Sequence, residues 1–206
     1  MVLDKEIWLD NTEYVMKKLA QGFTLIELLI VIAVLGILAV AVLSAINPIE
    51  QINRSRDTGS RSDAEQLIGA MDRFYAAQGY AAWKVDAKTP DKTDLVPWVK
   101  VSTAQWIVNG QADVLGLLST GGTSELKSSF VQRITHAGYN DLWVYDRGTQ
   151  GDTAYVCFLP ASGSFQTEAW TRCGGVVAGT GLPPDLRPMA ATICVGAAGN
   201  NFSCLP

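Results

Sequence analysis

A single histidine, His136, occurs in 206 residues, and the four cysteines include no Cys-x-x-Cys pair. Structural zinc sites draw their ligands from these residue types at short spacing, so that class is excluded and no metal is expected. A nucleophilic triad would need His136 as its base, with nothing to mark a nucleophile among the many serines, so neither catalysis nor a cofactor is expected. Residues 179–184 are rich in glycine and proline but lack the strand–glycine–helix setting of a nucleotide loop. With a net charge of −4 and a pI near 5.0, no overall field draws nucleic acid. Arg54, Arg56 and Arg61 therefore read as solvated or intersubunit ion-pair partners rather than phosphate contacts. Charge is also missing locally, because residues 23–46 contain no Lys, Arg or His and only one carboxylate, Glu27.

As a helix, residues 23–46 would extend about 36 Å, enough to cross the hydrocarbon core of a bilayer. An ionised side chain near one end of such a helix costs a few kcal/mol of insertion free energy, roughly, and asks for a cationic partner. None lies within the run. Cleavage between Gly22 and Phe23 would create an α-amino group with an ordinary pKa of about 8, and a staggered neighbouring copy could present that amine to Glu27. A secretory signal has a shorter apolar region, and an ordinary signal anchor gives no reason for a glutamate at its entry.

The order Gly22-Phe23-Thr24-Leu25-Ile26-Glu27 before an apolar run resembles the processing and assembly motif of type IV pilins and pseudopilins. The resemblance implies that a membrane-embedded prepilin peptidase and methyltransferase removes a leader, residues 1–22, after Gly22 and methylates Phe23. Glu27 then becomes the fifth mature residue and acts with Phe23 in assembly. The implied partners are further copies in a homopolymer, an inner-membrane assembly platform, and membrane lipid before assembly. A minor pilin or pseudopilin and a signal-anchored exported binding protein are the alternatives to a major pilin. The resemblance implies a single-pass protein with its leader in the cytoplasm and a pilus at the cell surface after assembly. The positive-inside count alone ties, with Lys5, Lys17 and Lys18 against Arg54, Arg56 and Arg61.

Asn47 and Pro48 end the apolar run, and Pro48 either kinks one long helix or separates two. Residues 47–79 read as amphipathic helix. Ala64, Leu67, Ile68, Met71, Phe74 and Tyr75 form an apolar stripe, and Glu50–Arg54 and Asp57–Arg61 are spaced as i,i+4 ion pairs. Gly59 is its weak point, and Ser62 with Glu65 suggests a capping box where the helix would restart. Gly79 suits a C-terminal glycine.

Residues 80–206 have the composition of a small exported head. Trp83, Trp98 and Trp106 fall in a region broken by Thr89-Pro90-Asp91 and Pro97, which reads as a loop anchored by tryptophans. A helix is expected over 124–134, strands over 142–145 and 154–159 joined as a hairpin, and a third strand near 164–170. The expected fold class is α+β, with the long helix on a small antiparallel sheet. Cys157, Cys173, Cys194 and Cys204 are even in number and suit an oxidising compartment. Three pairings exist; Cys157–Cys173 with Cys194–Cys204 closes the shortest loops and is favoured, although sequence alone leaves the choice open. The acceptor patterns at Asn53 and Asn201 read as coincidences.

Overall fold

The computed structural model describes residues 22–83, 96–102, 106, 113–120, 123–149, 152–175, 179–196 and 199–206. The bulk of the expected leader, with Lys5, Lys17 and Lys18, lies outside the described residues, as do Thr89-Pro90-Asp91 and Gln150-Gly151 of the hairpin connection. The chain divides into two compact units, Met1–Asn47 and Pro48–Pro206.

In the first unit, helix α1 runs over Leu25–Ala45 and none of its residues is buried. By length and composition it can cross a membrane. Ile46 follows it in an extended conformation.

The second unit opens with α2, Pro48–Gln78, and Pro48 stands at its first position. That residue needs no intrahelical N–H bond there, and the fixed φ of proline already suits the helix. The helix passes through Gly59 without a break, so the restart at Ser62 does not occur. A glycine in a helix interior costs about 1 kcal/mol. Here buried anchors at Asp57, Ser60 and Asp63 flank it and hold the backbone in place. The helix closes at Gly79, whose φ of +76° is open to glycine and whose N–H donates to the Tyr75 carbonyl at 2.8 Å.

The sheet consists of β1 (Val96–Lys100), β2 (Leu142–Asp146), β3 (Tyr155–Phe158) and β4 (Ser203–Leu205), in that order and antiparallel throughout. The alternation of the strands explains what covers each face. Leu142, Val144, Val156, Phe158 and Leu205 join Ala64, Leu67, Ala70, Met71 and Phe74 of α2 in one core. Trp143, Tyr145, Tyr155 and Cys157 point the other way and are covered by Leu182, Leu186 and Ile193 of the C-terminal region. The sheet thus has a second buried face beyond the one that the α2 stripe accounts for.

Several expectations change. The loop around Trp98 is partly strand: β1 contains Trp98, and its register shifts between Val96 and Val99, where the missing N–H of Pro97 is tolerated on an edge strand. Trp83 and Trp106 are buried in the main core, whereas Trp98 stacks on Trp143 with ring centroids 5.6 Å apart. The helix expected from 124 begins only at Ser128 and forms α4 (Ser128–Ile134), after α3 (Val114–Ser119). Ser124 sits at φ 47° and Leu126 donates its N–H to the Leu118 carbonyl, a turn that a helix there would forbid. The third strand near 164–170 is instead α5, Gly163–Arg172, because Phe165 and Ala169 bury one helical side at four-residue spacing. A short 3-10 turn at Arg187–Met189 and α6 (Ala190–Ile193) complete the elements.

The disulfides also differ from the favoured local pairing. Cys157 bonds Cys204 and Cys173 bonds Cys194. The β3–β4 register sets Cys157 opposite Cys204, so strand pairing and not loop length selects the partner. Sequence separations of 47 and 21 correspond to about 4 and about 3 kcal/mol of unfolded-chain entropy taken singly. The loops are nested, so the two values do not add. Asn201 is buried and its side-chain amide both accepts from the Gly196 N–H and donates to the Gly196 carbonyl, an internal structural role.

Tyr139 lends the fold a pH dependence. Its hydroxyl donates to Asp63, which also accepts from Arg133 at 2.5 Å. Burial, then the hydrogen bond to Asp63, push the phenol up to about 12. The unfolded chain loses that proton near pH 10, so the stabilisation is fully present below about 10 and is lost as pH rises towards about 12. Tyr139→Phe should flatten this alkaline loss, measured by urea unfolding across that window. Tyr155, raised by burial and by Asp185, retains the remainder. An unchanged slope in the variant would assign the loss elsewhere.

Candidate processing and assembly site

Residues 22–27 form one local unit. Gly22 and Phe23 precede the helix, and Phe23 is 86% exposed. Thr24 is the N-cap of α1, with φ −75° and ψ 152°. Its hydroxyl accepts the Glu27 N–H at 3.3 Å, while Glu27 Oε2 accepts both the Thr24 N–H and the Thr24 hydroxyl at 2.8 Å. This reciprocal capping box satisfies donors that a helix start otherwise leaves open. Such a cap is worth about 1 kcal/mol. Glu27 therefore has a structural partner in its own chain that its isolation among apolar residues did not reveal. The signal was present, since Thr24-x-x-Glu27 is itself a capping-box pattern. Only Oε2 is used; Oε1 has no partner among the described residues. The box lies wholly on the C-terminal side of the Gly22–Phe23 bond, so cutting that bond leaves every one of its atoms in place.

The polar residues of α2 hold α5. Asp57 is fully buried and accepts the Ala161 N–H at 3.0 Å, the Ser162 N–H at 2.7 Å and the Ser162 hydroxyl at 2.5 Å. Glu50 accepts the next N–H, that of Gly163, at 3.2 Å. Two carboxylates of one helix thus cap the start of another, where the partial positive charge of the helix end favours them. Arg61 reaches Glu168 of α5 at 2.6 Å and lies 4.6 Å from the Phe165 ring centroid. The ion pairs expected within α2, Glu50–Arg54 and Asp57–Arg61, do not form, because the tertiary donors of α5 and the Glu168 carboxylate take these side chains.

The remaining concave features carry little chemistry. A cleft of about 250 Å³ is lined by Met71, Tyr75, Trp83, Asp146 and Asp152. Arg147 donates to both Asp152 oxygens, at 2.6 and 2.9 Å, which lowers the Asp152 pKa from its ordinary value. Among the described residues no group of three His, Cys, Asp or Glu is placed to hold a metal ion. His136 is exposed in the turn after α4. Cys157, Cys173, Cys194 and Cys204 are all consumed by disulfides.

The first segment is an apolar helix behind a Gly22–Phe23 junction. The family model described as the prokaryotic N-terminal methylation motif matches residues 17–43. That motif supports a type IV pilin-like or pseudopilin precursor and implies processing by a prepilin peptidase. The α+β architecture, with an apolar N-terminal helix, a four-stranded antiparallel sheet and two C-terminal disulfides, is consistent with a pilin fold. No curated protein and no solved structure matches this chain.

Proposed function

We propose that this chain is a prepilin that is cleaved after Gly22, methylated on Phe23, held in the membrane by α1, and then polymerised as the major subunit of a helical surface filament. The observation that carries the reading is Glu27, the lone acid of the apolar segment, standing four residues after an exposed Phe23. In the precursor the leader faces the cytoplasm and the disulfide-bonded unit faces outward. On assembly the apolar helices leave lipid for one another. Both surroundings are apolar, so the exchange itself supplies little drive. A neighbour's Phe23 amine, bound at Glu27, neutralises both charges and sets the stagger between subunits. The role is structural; partners are identical subunits, the prepilin peptidase and methyltransferase, and a membrane assembly platform.

The test is chemical and direct. Intact-mass analysis and N-terminal sequencing of extracellular material should give methylated Phe23 as the first residue. Residues 1–22 still attached within an ordered polymer would overturn the reading. Electron microscopy and composition of sheared fibres then decide the subunit's rank: fibres made chiefly of this chain fit a major pilin, and fibres that assemble without it assign a minor or pseudopilin role.

A further inference from the structure

Among the described residues most arginines are engaged within the fold. Arg61, Arg73, Arg133, Arg147 and Arg172 each meet a carboxylate, and Arg187 donates to the Leu182 carbonyl. Arg54 and Arg56 are exposed, and among the described residues neither side chain has an ion pair or hydrogen bond. They stand on different sides of α2, since two residues turn a helix through roughly 200°. Arg56 continues the side that packs on the sheet farther along, whereas Arg54 lies on a flank with Thr58, Glu65 and Asp72, all of them exposed. Asp72 follows Arg54 by about five full turns and so returns to the same line along the helix. Among the described residues neither Asp72 nor Glu65 has an ion pair. Arg61 is also near this line, but Glu168 of α5 holds its guanidinium. One flank of α2 thus carries an unmatched cation near its start and unmatched acids about 16 to 27 Å farther along.

We propose that Arg54 of one copy of the chain inserts beside Asp72 of the next copy, joining the start of one α2 to the far half of its neighbour. The inference rests on the reading of the chain as a polymerising subunit. Asp72 lines the cleft of about 250 Å³ together with Tyr75, Trp83 and Asp146. Pockets for small molecules begin at about 300 Å³, so this one is of a size for a single side chain. Carboxylates beside aromatic rings suit a guanidinium, whose planar fork binds the acid and whose face stacks on the ring. In a polar polymer every α2 points the same way, so neighbouring helices meet through unlike patches. A slide of about 27 Å along the helix brings Arg54 to Asp72. Each copy carries one of each patch, and a head-to-tail contact of that kind repeats without closing, as an open helical assembly requires. A chain of net charge −4 repels its own copies, and seating a cation in an acidic cleft offsets that repulsion at the contact.

Charge reversal across the pair, read in fibres of the full chain, tests this. An exposed ion pair contributes up to about fivefold to association, and reversal replaces attraction by repulsion, so R54D and D72R should each lower the yield of sheared fibres about tenfold. The double variant R54D/D72R restores the pair with its poles exchanged and should return the yield to within about twofold of the wild type. All three should keep the wild-type urea unfolding curve, because neither side chain has an ion pair within the fold. A second measurement leaves the pair intact: a photoreactive benzoylphenylalanine in place of the exposed Gln51, about one turn before Arg54, should bond on irradiation within residues 65–83 of a neighbouring copy. Single reversals with wild-type yield overturn the proposal, as does a double variant no better than the singles or a photobond to another region or another protein. The underlying reading fails differently. A wild-type chain that forms no fibre overturns the polymer and this contact with it, whereas wild-type fibres indifferent to the reversals overturn the contact alone.

Discussion

Glu27→Gln should abolish filament formation while leaving α1 capped and the chain in its membrane. The substitution separates the cap that Glu27 forms with Thr24 from the contact between subunits proposed for it. Glutamine retains an oxygen that can accept from the Thr24 N–H and hydroxyl, so the reciprocal cap with Thr24 persists. What disappears is the charge. Loss of one member of a buried pair costs about 3–5 kcal/mol, more than about a hundredfold in association between subunits, because the neighbour's amine is left uncompensated. Thr24→Ala is the reciprocal variant: it removes the cap, worth about 1 kcal/mol, and keeps the carboxylate. Fibre yield by shearing, with membrane fractionation as the control, should therefore follow Glu27→Gln and Glu27→Ala to near zero and Thr24→Ala only part of the way. Normal fibres from Glu27→Gln would show that the residue serves the helix start and not the contact between subunits.

Asp57→Ala should be the most damaging single change within the folded unit. The carboxylate gathers two backbone N–H groups and one hydroxyl at 2.5–3.1 Å with no exposure to water. Removal leaves those donors buried without an acceptor, each carrying part of a desolvation penalty, and uncaps α5. The expected loss is about 3 kcal/mol, or roughly 10 °C in the unfolding midpoint of a unit this size. Asp57→Asn keeps the shape and one good acceptor and should lie between. Thermal unfolding of the detergent-solubilised chain with its disulfides intact measures both. A shift of less than about 1 kcal/mol for the alanine variant would mean that water enters and replaces the carboxylate.

The same two residues mark what the sequence made legible. Glu27 stands out because a charge within an apolar run has few explanations; the membrane-length helix and the α2 stripe follow from composition and spacing, and the N-terminal motif from its resemblance to that of type IV pilins. The Thr24-x-x-Glu27 cap is masked by the apolar run that follows it, whereas Ser62-x-x-Glu65 lies beside Gly59, which suggests a break that tertiary contacts remove. Four-residue spacing to arginine is a strong local pattern, and it points Asp57 and Glu50 to ion pairs within α2. Their donors lie more than a hundred residues away in sequence, and nothing local points to them. The same reason hides β1 and β4. Each becomes a strand through pairing with a distant partner, and Pro97 argued against β1 until its edge position made the missing N–H harmless. Strands β2 and β3 are visible because they lie close together in sequence as short apolar runs on either side of a turn-rich connection. The run at 164–170 misled because apolar residues in a short segment fit either period, and only the burial of Phe165 with Ala169 chooses the helical one.

The nested arrangement of the cysteine bridges bears on how the protein must be made. A disordered chain meets its near neighbours most often, so random oxidation would join Cys157 to Cys173 and Cys194 to Cys204 through the shorter loops. Those bonds would pin β3 to the end of α5 and hold residue 204 away from its place beside residue 157. The native bridges become the accessible ones only after β4 has aligned on β3. Sheet assembly must therefore run ahead of thiol oxidation, or else a thiol–disulfide isomerase must undo the early bonds before the subunit can leave the quality control of the compartment where it folds.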